Sequence, residues 1–403
     1  MLDRGPDHAG ISHRVASIAE SATMALDRRV KELRAGGDDV ISFAAGEPDF
    51  ATPDVVVEAA ARACRDVRLH HYTPAAGLPE LRRAVALRTG QASGAEVAPE
   101  QVLITNGTKQ AVAHAFTVLL DPGDEVLVPS PYWVTFPEAV ALAGGRAVPV
   151  PTTEATGFRV TTEDLEARLT SRTKVLLFVS PSNPTGTVYR QEHIEEIGRW
   201  AAERGLWVVC DEIYDQFTYD GAEFNSLPVV VPELLPRSLR LNGVAKAYAM
   251  TGWRVGWMVG PRAVVEAAAN LQSHVCGNIS NISQLAALAA LEQGEPALRA
   301  MREAFARRRL AMLALMEGVP GFECPAPQGA FYLFPSVQGA LGREVGGHRV
   351  ETSADLAAAL LEEARIAVVP GEAFGAPGYL RFSYALADGD LEEGMSRLHR
   401  LLG

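Results

Sequence analysis

Short apolar runs alternate with amphipathic segments along most of the chain, and this alternation predicts strands separated by helices. Runs rich in valine, leucine and isoleucine occupy residues 102–106, 125–129, 147–150, 174–180 and 206–210. Strands without polar alternation are typical of a parallel sheet that is buried on both faces. We therefore predict an α/β fold in which helices sandwich a mostly parallel sheet, with a smaller α+β domain beside it.

The two ends of the chain follow a different pattern from its middle. Residues 1–13 have the composition of a loose tail, residues 14–35 predict one amphipathic helix, and residues 41–45 predict a short strand. Pro53 opens the next predicted helix, with Thr52 as its N-cap. Beyond about residue 317 a mixed segment contains strand patterns at 331–334, 366–369 and 379–383. We predict a large domain at 51–295 and a small domain at 296–403, which the N-terminal segment 1–50 joins.

The stretch 238–260, SLRLNGVAKAYAMTGWRVGWMVG, predicts two strands joined by a tight loop. Lys246 lies in this loop between Ala245 and Ala247, whose small side chains cannot shield it. A lysine at the end of a buried strand is either a surface residue or a reactive amine. The loop alone leaves both interpretations open.

Composition narrows the class of protein. The 403 residues are 48% hydrophobic and carry a net charge of −12, which argues against nucleic acid and anionic membranes as partners. No apolar run reaches membrane-spanning length, and the N-terminus lacks the apolar core of a signal peptide. Four cysteines without paired spacing predict free, mostly buried thiols in a reducing cytoplasm, and nine histidines without ligand spacing predict no metal site. We expect a cytoplasmic protein.

Polar side chains come where the predicted strands end, which is where ligands bind in an open parallel sheet. Gly107, Thr108 and Lys109 connect a strand to a helix N-terminus, which favours an anion. Asn183 lies in the proline-flanked loop PSNPTG, which is otherwise a rigid turn. Asp211 ends an apolar strand, and a buried carboxylate needs a partner. This partner is either a protonated heterocyclic nitrogen of a ligand or an ordinary structural group, such as an arginine or a helix N-terminus.

Two arginines and a tryptophan add candidate binding groups. Arg254 and Arg381 each stand at the margin of an apolar strand, where a guanidinium suits phosphate or carboxylate, or else forms a structural ion pair. Trp133 is either a core aromatic residue or a plate on which a ring stacks. None of these side chains identifies a ligand by itself.

Taken in order, the segments resemble the fold-type I pyridoxal-phosphate enzymes, specifically the class I aminotransferases of the bacterial aspartate aminotransferase branch. The resemblance covers about residues 14–402 and implies the seven-stranded sheet of that fold and pyridoxal phosphate as cofactor. It rests on AAGEPDF (44–50), HYTPAAGLPELR (71–82), TNGTKQA (105–111), LDPGDEVLVPSPYW (120–133), SPSNPTG (180–186), DEIY (211–214), TGWRVG (251–256), GAFY (329–332), VVPGEAFG (368–375) and LRFSYA (380–385).

The resemblance implies a role around the cofactor ring for five residues. Lys246 is similar to the lysine that holds the cofactor aldehyde and then moves the proton. Asp211 resembles the partner of the ring nitrogen, and Trp133 the aromatic residue that stacks on the ring. Asn183 and Tyr214 resemble the pair that hydrogen-bonds the phenolic oxygen. The implied catalytic residues are therefore Lys246, Asp211 and Tyr214.

The resemblance also implies a phosphate site that two subunits share. Gly107, Thr108 and Arg254 match residues that cradle the phosphate. Tyr72 matches a tyrosine that reaches the phosphate from the neighbouring subunit. A homodimer with shared active sites follows from this match.

Substrate binding is implied by a further set of matches. Arg381 is similar to the residue that binds the substrate α-carboxylate, with Gly46 as a backbone contact beside it. Lys109 resembles the lysine that this branch uses for the distal carboxylate of aspartate or glutamate, and Ser21 and Thr23 resemble the segment that closes over it. Trp133 and Asn183 border the same substrate. The implied activity is ping-pong transamination between an L-amino acid, aspartate or glutamate, and a 2-oxo acid.

Other functions are compatible with parts of the pattern. An aromatic, prephenate-like or specialised biosynthetic substrate fits the same pocket, and a β-lyase or cyclopropane-forming synthase would keep the cofactor and break another bond. The sensor half of a transcription regulator would need a basic DNA-binding module, and this chain is acidic. Two departures from relatives affect the pocket. Gly243 and Ala245 stand where many relatives carry serine, and residues 277–280 replace a Thr-Ser-x-Pro-like stretch.

Overall fold

The computed structural model describes residues 10–16, 18–94 and 96–403. Most of the predicted N-terminal tail therefore lies outside the described residues. The N-terminal segment forms α1 (His13–Ala16), α2 (Ala22–Ala35) and β1 (Ile41–Ser42). The single helix predicted over 14–35 is wrong, because Ser21 has an extended backbone (φ −62°, ψ 112°) and starts a new helix at Ala22.

The middle of the chain alternates strands with helices, as the apolar pattern predicts. Its elements are α3 (Asp54–Ala63), α4 (Pro79–Ser93), β2 (Val102–Thr105), α5 (Thr108–Leu119), β3 (Glu125–Ser130), α6 (Thr135–Leu142), β4 (Arg146–Pro151), α7 (Thr162–Glu166), β5 (Thr173–Val179), α8 (Gln191–Glu203), β6 (Trp207–Asp211), α9 (Leu227–Val230), β7 (Ser238–Gly243) and β8 (Gly256–Val259).

Seven of these strands form one sheet in the order β2-β8-β7-β6-β5-β3-β4. Strand β8 runs antiparallel to both of its neighbours, and the other six strands run the same way. The prediction of a mostly parallel seven-stranded sheet is confirmed. Because β8 is reversed, its amino end lies at the same edge of the sheet as the carboxyl ends of the other six strands. Arg254, two residues before β8, therefore reaches the edge at which Asp211 and Gly107 lie.

Alternate residues of the central strands pack on opposite faces of the sheet. Val126 and Val128 of β3 belong to a core that includes α5 and α6, whereas Leu127 between them packs with α8. Each fully buried valine or leucine contributes roughly 1.5–3 kcal/mol to folding. Helices thus cover both faces, as the unbroken apolar runs predict.

The C-terminal part is helical at first and then mixed, as predicted. Its elements are α10 (Arg262–Val275), α11 (Asn281–Gln293), α12 (Glu295–Met316), β9 (Tyr332–Leu333), β10 (Glu344–Val345), β11 (His348–Arg349), α13 (Ser353–Glu363), β12 (Ile366–Ala367), β13 (Val369–Pro370), β14 (Leu380–Ser383) and α14 (Asp388–Leu402).

Three small sheets lie in this part of the chain, and one of them joins it to the N-terminal segment. Strands β13, β14 and β9 form an antiparallel sheet, and β10 pairs with β11. Strand β1 pairs in parallel with β12, with Ile41 opposite Ile366. The N-terminal segment thus packs on the C-terminal part. The predicted domain limits at residues 50 and 295 stay a prediction.

Some local predictions are corrected by long-range contacts. Thr52 does not cap α3, which begins at Asp54. Its hydroxyl donates to the Ala249 carbonyl at 2.7 Å and accepts from the indole N–H of Trp253 at 3.0 Å. The cysteines are free, but Cys64 and Cys276 are exposed rather than buried. In the described residues, no helix combines the length and the apolar character needed to cross a membrane.

Candidate active site

A cavity of about 520 Å³ opens at the edge of the large sheet where the parallel strands end. It collects side chains from both ends and from the middle of the sequence. The predicted site residues that line it are Thr23, Gly46, Thr108, Lys109, Trp133, Asn183, Asp211, Tyr214, Lys246, Arg254 and Arg381. The structure thus brings most of the predicted residues together in one place.

Lys246 lies in the loop between β7 and β8, and its Nζ donates a hydrogen bond to the Gly46 carbonyl. Burial lowers the pKa of Lys246 to about 8. The nearby Glu47 carboxylate opposes this shift, whereas the positive charges of Arg381 and Arg254 add to it. A substantial fraction of this amine is therefore neutral near physiological pH, as a nucleophile or base requires.

Asp211 is the last residue of β6 and only 4% exposed. Its Oδ1 accepts the backbone N–H of Ile213 at 3.1 Å. Burial nevertheless raises the pKa of Asp211 to about 7, against the opposing effects of that hydrogen bond and of Lys246. The positive charge near this carboxylate therefore does not offset its burial, and a further cationic group in the cavity would stabilise its ionised form.

Tyr214 and Tyr332 form a buried pair whose hydroxyl oxygens are 2.7 Å apart. Burial raises the pKa of Tyr214 well above its ordinary value, so this hydroxyl stays protonated and can donate. Tyr332 is a cavity residue that sequence reasoning missed. The GAFY segment contains it, but nothing in the local pattern indicates that it meets a tyrosine 118 positions away.

Arg381 is only 2% exposed, and no carboxylate of the described residues pairs with it. Its guanidinium donates to Asn183 Oδ1 at 2.9 Å and to the Ala44 carbonyl at 2.7 Å. Its Nε has no hydrogen-bond partner. It lies over the ring of Tyr332, 4.6 Å from the centroid. Arg381 lines the cavity, and a buried guanidinium without a carboxylate partner is a site for an anion.

A second anion site lies at the N-terminus of α5. Gly107 has φ 75°, and a Cβ there would lie 2.5 Å from an Arg254 nitrogen. A Cβ on Gly256 would lie 2.5 Å from the backbone nitrogen of Thr108. A side chain at Gly256 would therefore fill the space in front of the first N–H groups of the helix, which have no partners within it, and a side chain at Gly107 would displace Arg254. The arrangement suits phosphate.

Arg254 completes this second site from the loop before β8. Its guanidinium donates to the carbonyl oxygens of Thr251 at 2.9 Å and Asn106 at 3.2 Å. Across the described ranges, no carboxylate lies within ion-pair distance of it. Its charge is thus held in place by backbone contacts and remains available to a ligand.

Lys109 and Trp133 lie side by side at the cavity wall. The Lys109 Nζ lies over the Trp133 ring, 5.1 Å from the centroid. Burial and the charge of Arg254 lower the pKa of Lys109. Trp133 packs edge-on against Phe136, with centroids 5.4 Å apart. The indole therefore has a fixed orientation, and the ammonium group adds a further positive charge to the cavity.

Three predicted residues do not line the cavity. Gly107 lies behind Arg254, and Ser21 hydrogen-bonds with Thr23 at 3.0 Å at the start of α2. Tyr72 is 97% exposed and is not among the residues that line this subunit's cavity. The structure leaves the role of Tyr72 toward a neighbouring subunit a prediction.

Two acidic residues at the cavity were not predicted. Glu47 Oε2 accepts the Thr251 hydroxyl at 2.5 Å. Asp27 lines the cavity from α2 and pairs with Lys31 at 2.7 Å. Glu47 is part of the GEPDF segment. This segment contributed to the family resemblance, but it did not indicate the contact between Glu47 and Thr251.

The sequence matches the model of the family described as aminotransferase class I and II over residues 38–398. Aspartate aminotransferase of Streptomyces avermitilis is 58% identical over 397 residues, which cover 98% of this chain and 97% of that protein. A probable aspartate/prephenate aminotransferase of Aquifex aeolicus is 40% identical over 395 residues, which cover 98% of each.

Two solved structures are similar along almost the whole chain. The structure of the aspartate aminotransferase from Rhizobium meliloti superposes with a TM-score of 0.93 and 37% identity, and the match covers 97% of this chain and 98% of that one. The Thermus thermophilus aspartate aminotransferase with maleate gives a TM-score of 0.90 at 41% identity, covering 97% and 99% of the two chains.

Proposed function

The chain belongs to the aminotransferase class I and II family, and from this premise we propose that it moves amino groups between aspartate and 2-oxo acids with pyridoxal phosphate as cofactor. One observation carries the proposal. Lys246, with its pKa lowered to about 8, shares a cavity with the buried Asp211 and with two arginines that have no described carboxylate partner. An amine, a carboxylate and two anion sites match the functional groups of this cofactor and an amino acid.

The residues present fit pyridoxal phosphate. The space beside Gly107 and Gly256 would be filled by a Cβ, and it leaves the N-terminus of α5 and Arg254 open to a phosphate. Asp211 would hold the protonated ring nitrogen, and Trp133 would stack on the ring. Asn183 and Tyr214 would contact the phenolic oxygen. When bound, the cofactor supplies an aldehyde that takes up the amino group and a ring that accepts electrons.

Lys246 is the group that moves the proton in this proposal. Its Nζ lies at the Gly46 carbonyl, which can hold the ammonium form, and its lowered pKa lets the amine return to the neutral form at neutral pH. Asp211 lies at the end of β6 in the lining of the same cavity, and its role is that of a charge partner. In this proposal Lys246 is thus the base, and a different residue, Asp211, stabilises the positive charge of the ring nitrogen.

Arg381 binds the substrate α-carboxylate in this proposal, and Gly46 borders the same place. Lys109 provides a second positive charge for a distal carboxylate, and Thr23, hydrogen-bonded with Ser21, faces it from α2. A dicarboxylic amino acid needs two such sites. The relative from Thermus thermophilus was solved with maleate, which is itself a dicarboxylate.

We include a homodimer in the proposed function. Tyr72, in the HYTP segment, is almost fully exposed and is therefore accessible to a neighbouring subunit, and tyrosine is enriched at protein interfaces. In the proposed dimer Tyr72 reaches the phosphate site of the neighbouring subunit.

An absorbance spectrum of the purified protein tests the proposal. We expect a visible band after reconstitution with pyridoxal phosphate, and its conversion by aspartate or glutamate to the form that carries the amino group. Conversion only by aromatic or other amino acids would contradict the dicarboxylate assignment. Release of ammonia without a 2-oxo acid acceptor would indicate a lyase. Absence of the band would contradict the whole proposal.

The lowered pKa of Lys246 predicts unusual reactivity in the cofactor-free protein. Acetic anhydride labels only neutral amines, so we expect the labelling rate of Lys246 to rise with a midpoint near pH 8 and that of a surface lysine near about 10.4. Quantitative mass spectrometry of each labelled lysine measures both. Lys174, whose pKa its hydrogen bond to Asp124 raises, is the internal control.

A Glu47→Gln variant tests whether nearby charges set the pKa of Lys246. The Glu47 carboxylate raises the pKa of Lys246, so its neutralisation should move the labelling midpoint of Lys246 to lower pH while that of Lys174 stays constant. A midpoint for Lys246 at or above that of Lys174 would refute the electrostatic description of the site.

Replacement of Lys109 with serine should affect only substrates with a second carboxylate. We expect the KM for aspartate to rise about 10- to 150-fold, because a charge-assisted contact contributes roughly 1.5–3 kcal/mol. The KM for alanine should change little. Steady-state kinetics with both donors checks this, and an equal rise for aspartate and alanine would show that Lys109 does not contact the distal carboxylate.

A further inference from the structure

A side chain of α5 reaches back over the loop that forms the phosphate site. The Oε1 atom of Gln110 accepts the backbone N–H of Asn106 at 2.6 Å. Gln110 is the third residue of the helix, and its own N–H donates to the Gly107 carbonyl at 3.1 Å. One residue therefore contacts the loop on both sides of the peptide between Asn106 and Gly107, directly before the helix N-terminus where the phosphate is proposed to bind.

The amide nitrogen of the same side chain has a fixed partner. Gln110 Nε2 lies 3.0 Å from the Sγ of Cys276, which follows the last residue of α10. Helix α10 is itself tied to β2, because Gln272 Nε2 donates to the Ile104 carbonyl at 2.8 Å. The thiol therefore belongs to a rigid part of the fold, and Gln110 connects this part to the loop.

Asn106 passes this restraint on to a charged group. Its carbonyl accepts a hydrogen bond from the Arg254 guanidinium at 3.2 Å, and the other guanidinium nitrogen is held by the Thr251 carbonyl at 2.9 Å. The N–H that Gln110 holds belongs to the peptide between Thr105 and Asn106, whereas the carbonyl that Arg254 contacts belongs to the next peptide, between Asn106 and Gly107. Gln110 contacts the backbone on either side of this second peptide, at the Asn106 N–H and the Gly107 carbonyl, and so restrains the carbonyl that holds Arg254.

Resting on the proposed function, we propose that Gln110, anchored by Cys276, is a positioning residue for the cofactor phosphate: it restrains the peptide between Asn106 and Gly107 and thereby the Arg254 guanidinium. Its effect is confined to the phosphate end of the ligand. Lys246 and Asp211, which meet the other end, receive no contact from it in the described part of the chain. Gln110 should therefore matter for phosphate-bearing ligands and not for the same ring without phosphate.

The experiment titrates the full chain with pyridoxal phosphate and, separately, with pyridoxal, and follows the absorbance of the bound ligand. Gln110→Met keeps the length of the side chain and removes both hydrogen bonds. We expect it to weaken binding of pyridoxal phosphate about five- to tenfold, as the loss of one or two hydrogen bonds implies, with the affinity for pyridoxal unchanged.

Variants of Cys276 separate positioning from a general effect on the fold. Cys276→Ala removes the anchor and should weaken binding of pyridoxal phosphate by a smaller factor, about two- to fivefold. Cys276→Ser keeps an acceptor for the Gln110 amide and should therefore restore the affinity for pyridoxal phosphate. Thr117→Ala, which removes a side-chain hydrogen bond elsewhere on α5, is the matched control and should bind like the unmodified chain.

Each outcome decides the proposal. A selective loss for pyridoxal phosphate in Gln110→Met, with rescue in Cys276→Ser relative to Cys276→Ala, supports it. An equal loss for both ligands, or no loss in Gln110→Met, overturns it. If the unmodified chain binds neither ligand, the proposed function fails instead, so the two failures are distinguishable.

Discussion

Replacement of Lys246 with alanine is expected to lower the rate of transamination by a factor on the order of 10⁴ or more. A positioned base alone contributes about 10²–10⁴-fold, and the same side chain is proposed to anchor the cofactor aldehyde. Among the described residues, no other lysine than Lys109 lines the cavity, and Lys109 has a cavity-wall position beside Trp133. No neighbouring amine is therefore placed to substitute for Lys246.

Turnover of aspartate with a 2-oxo acid acceptor measures this effect, and the visible absorbance of the bound cofactor is followed in the same preparations. Lys174→Ala is the matched control, because Lys174 pairs with Asp124 away from the cavity. Thermal melting of both variants tests the fold. A Lys246→Ala variant that retained one tenth of the activity would show that another group carries the proton.

Replacement of Arg381 with leucine is expected to lower kcat/KM for aspartate by about 10²- to 10³-fold. Removal of one partner of a buried, hydrogen-bonded charge pair costs roughly 2–5 kcal/mol, and Arg381 is buried with its Nε unpaired. The α-carboxylate of every amino acid would lose the same contact. The loss should therefore be similar for aspartate and alanine, in contrast to Lys109→Ser.

The guanidinium of Arg381 also binds Asn183 and the Ala44 carbonyl, so its removal also lowers the stability of the fold. A control must separate this loss of stability from the loss of substrate binding. Arg309→Leu is the matched control. Arg309 is equally buried, but it pairs with Asp220 and does not line the cavity. It should lower the melting temperature and leave the KM for amino acids unchanged. A KM that also stays constant in Arg381→Leu would contradict the assigned role.

The alternation of apolar runs and helices was sufficient to predict the α/β class and the mostly parallel sheet, because burial on both faces requires continuous apolar strands. The positions of Asp211, Asn183 and Gly107 followed from the same pattern. Carboxyl ends of parallel strands meet at one edge, so polar residues that follow separate strands converge even though they are far apart in sequence. Motif order then indicated the family and its cofactor.

Contacts between distant segments could not be predicted in this way. The direction of β8 brings Arg254 to the N-terminus of α5, and the apolar run 255–259 does not by itself fix that direction. The pairing of Tyr214 with Tyr332 and the contact of Thr52 with Ala249 depend on how the N-terminal and C-terminal segments pack on the large sheet. The start of a new helix after Ser21 could not be predicted either, because the amphipathic pattern continues through this position.

By itself, then, the sequence determined which segments are buried, which strand ends carry polar groups, and the family to which this order of motifs belongs. These properties are local, since they depend on side-chain chemistry and on spacing along a strand or helix. Only the tertiary structure decided which charges remain unpaired, how burial shifts the pKa values of Lys246 and Asp211, and that Gln110 connects the end of α10 to the loop before α5. Those properties depend on which atoms meet across the folded chain and on the water that their contact excludes.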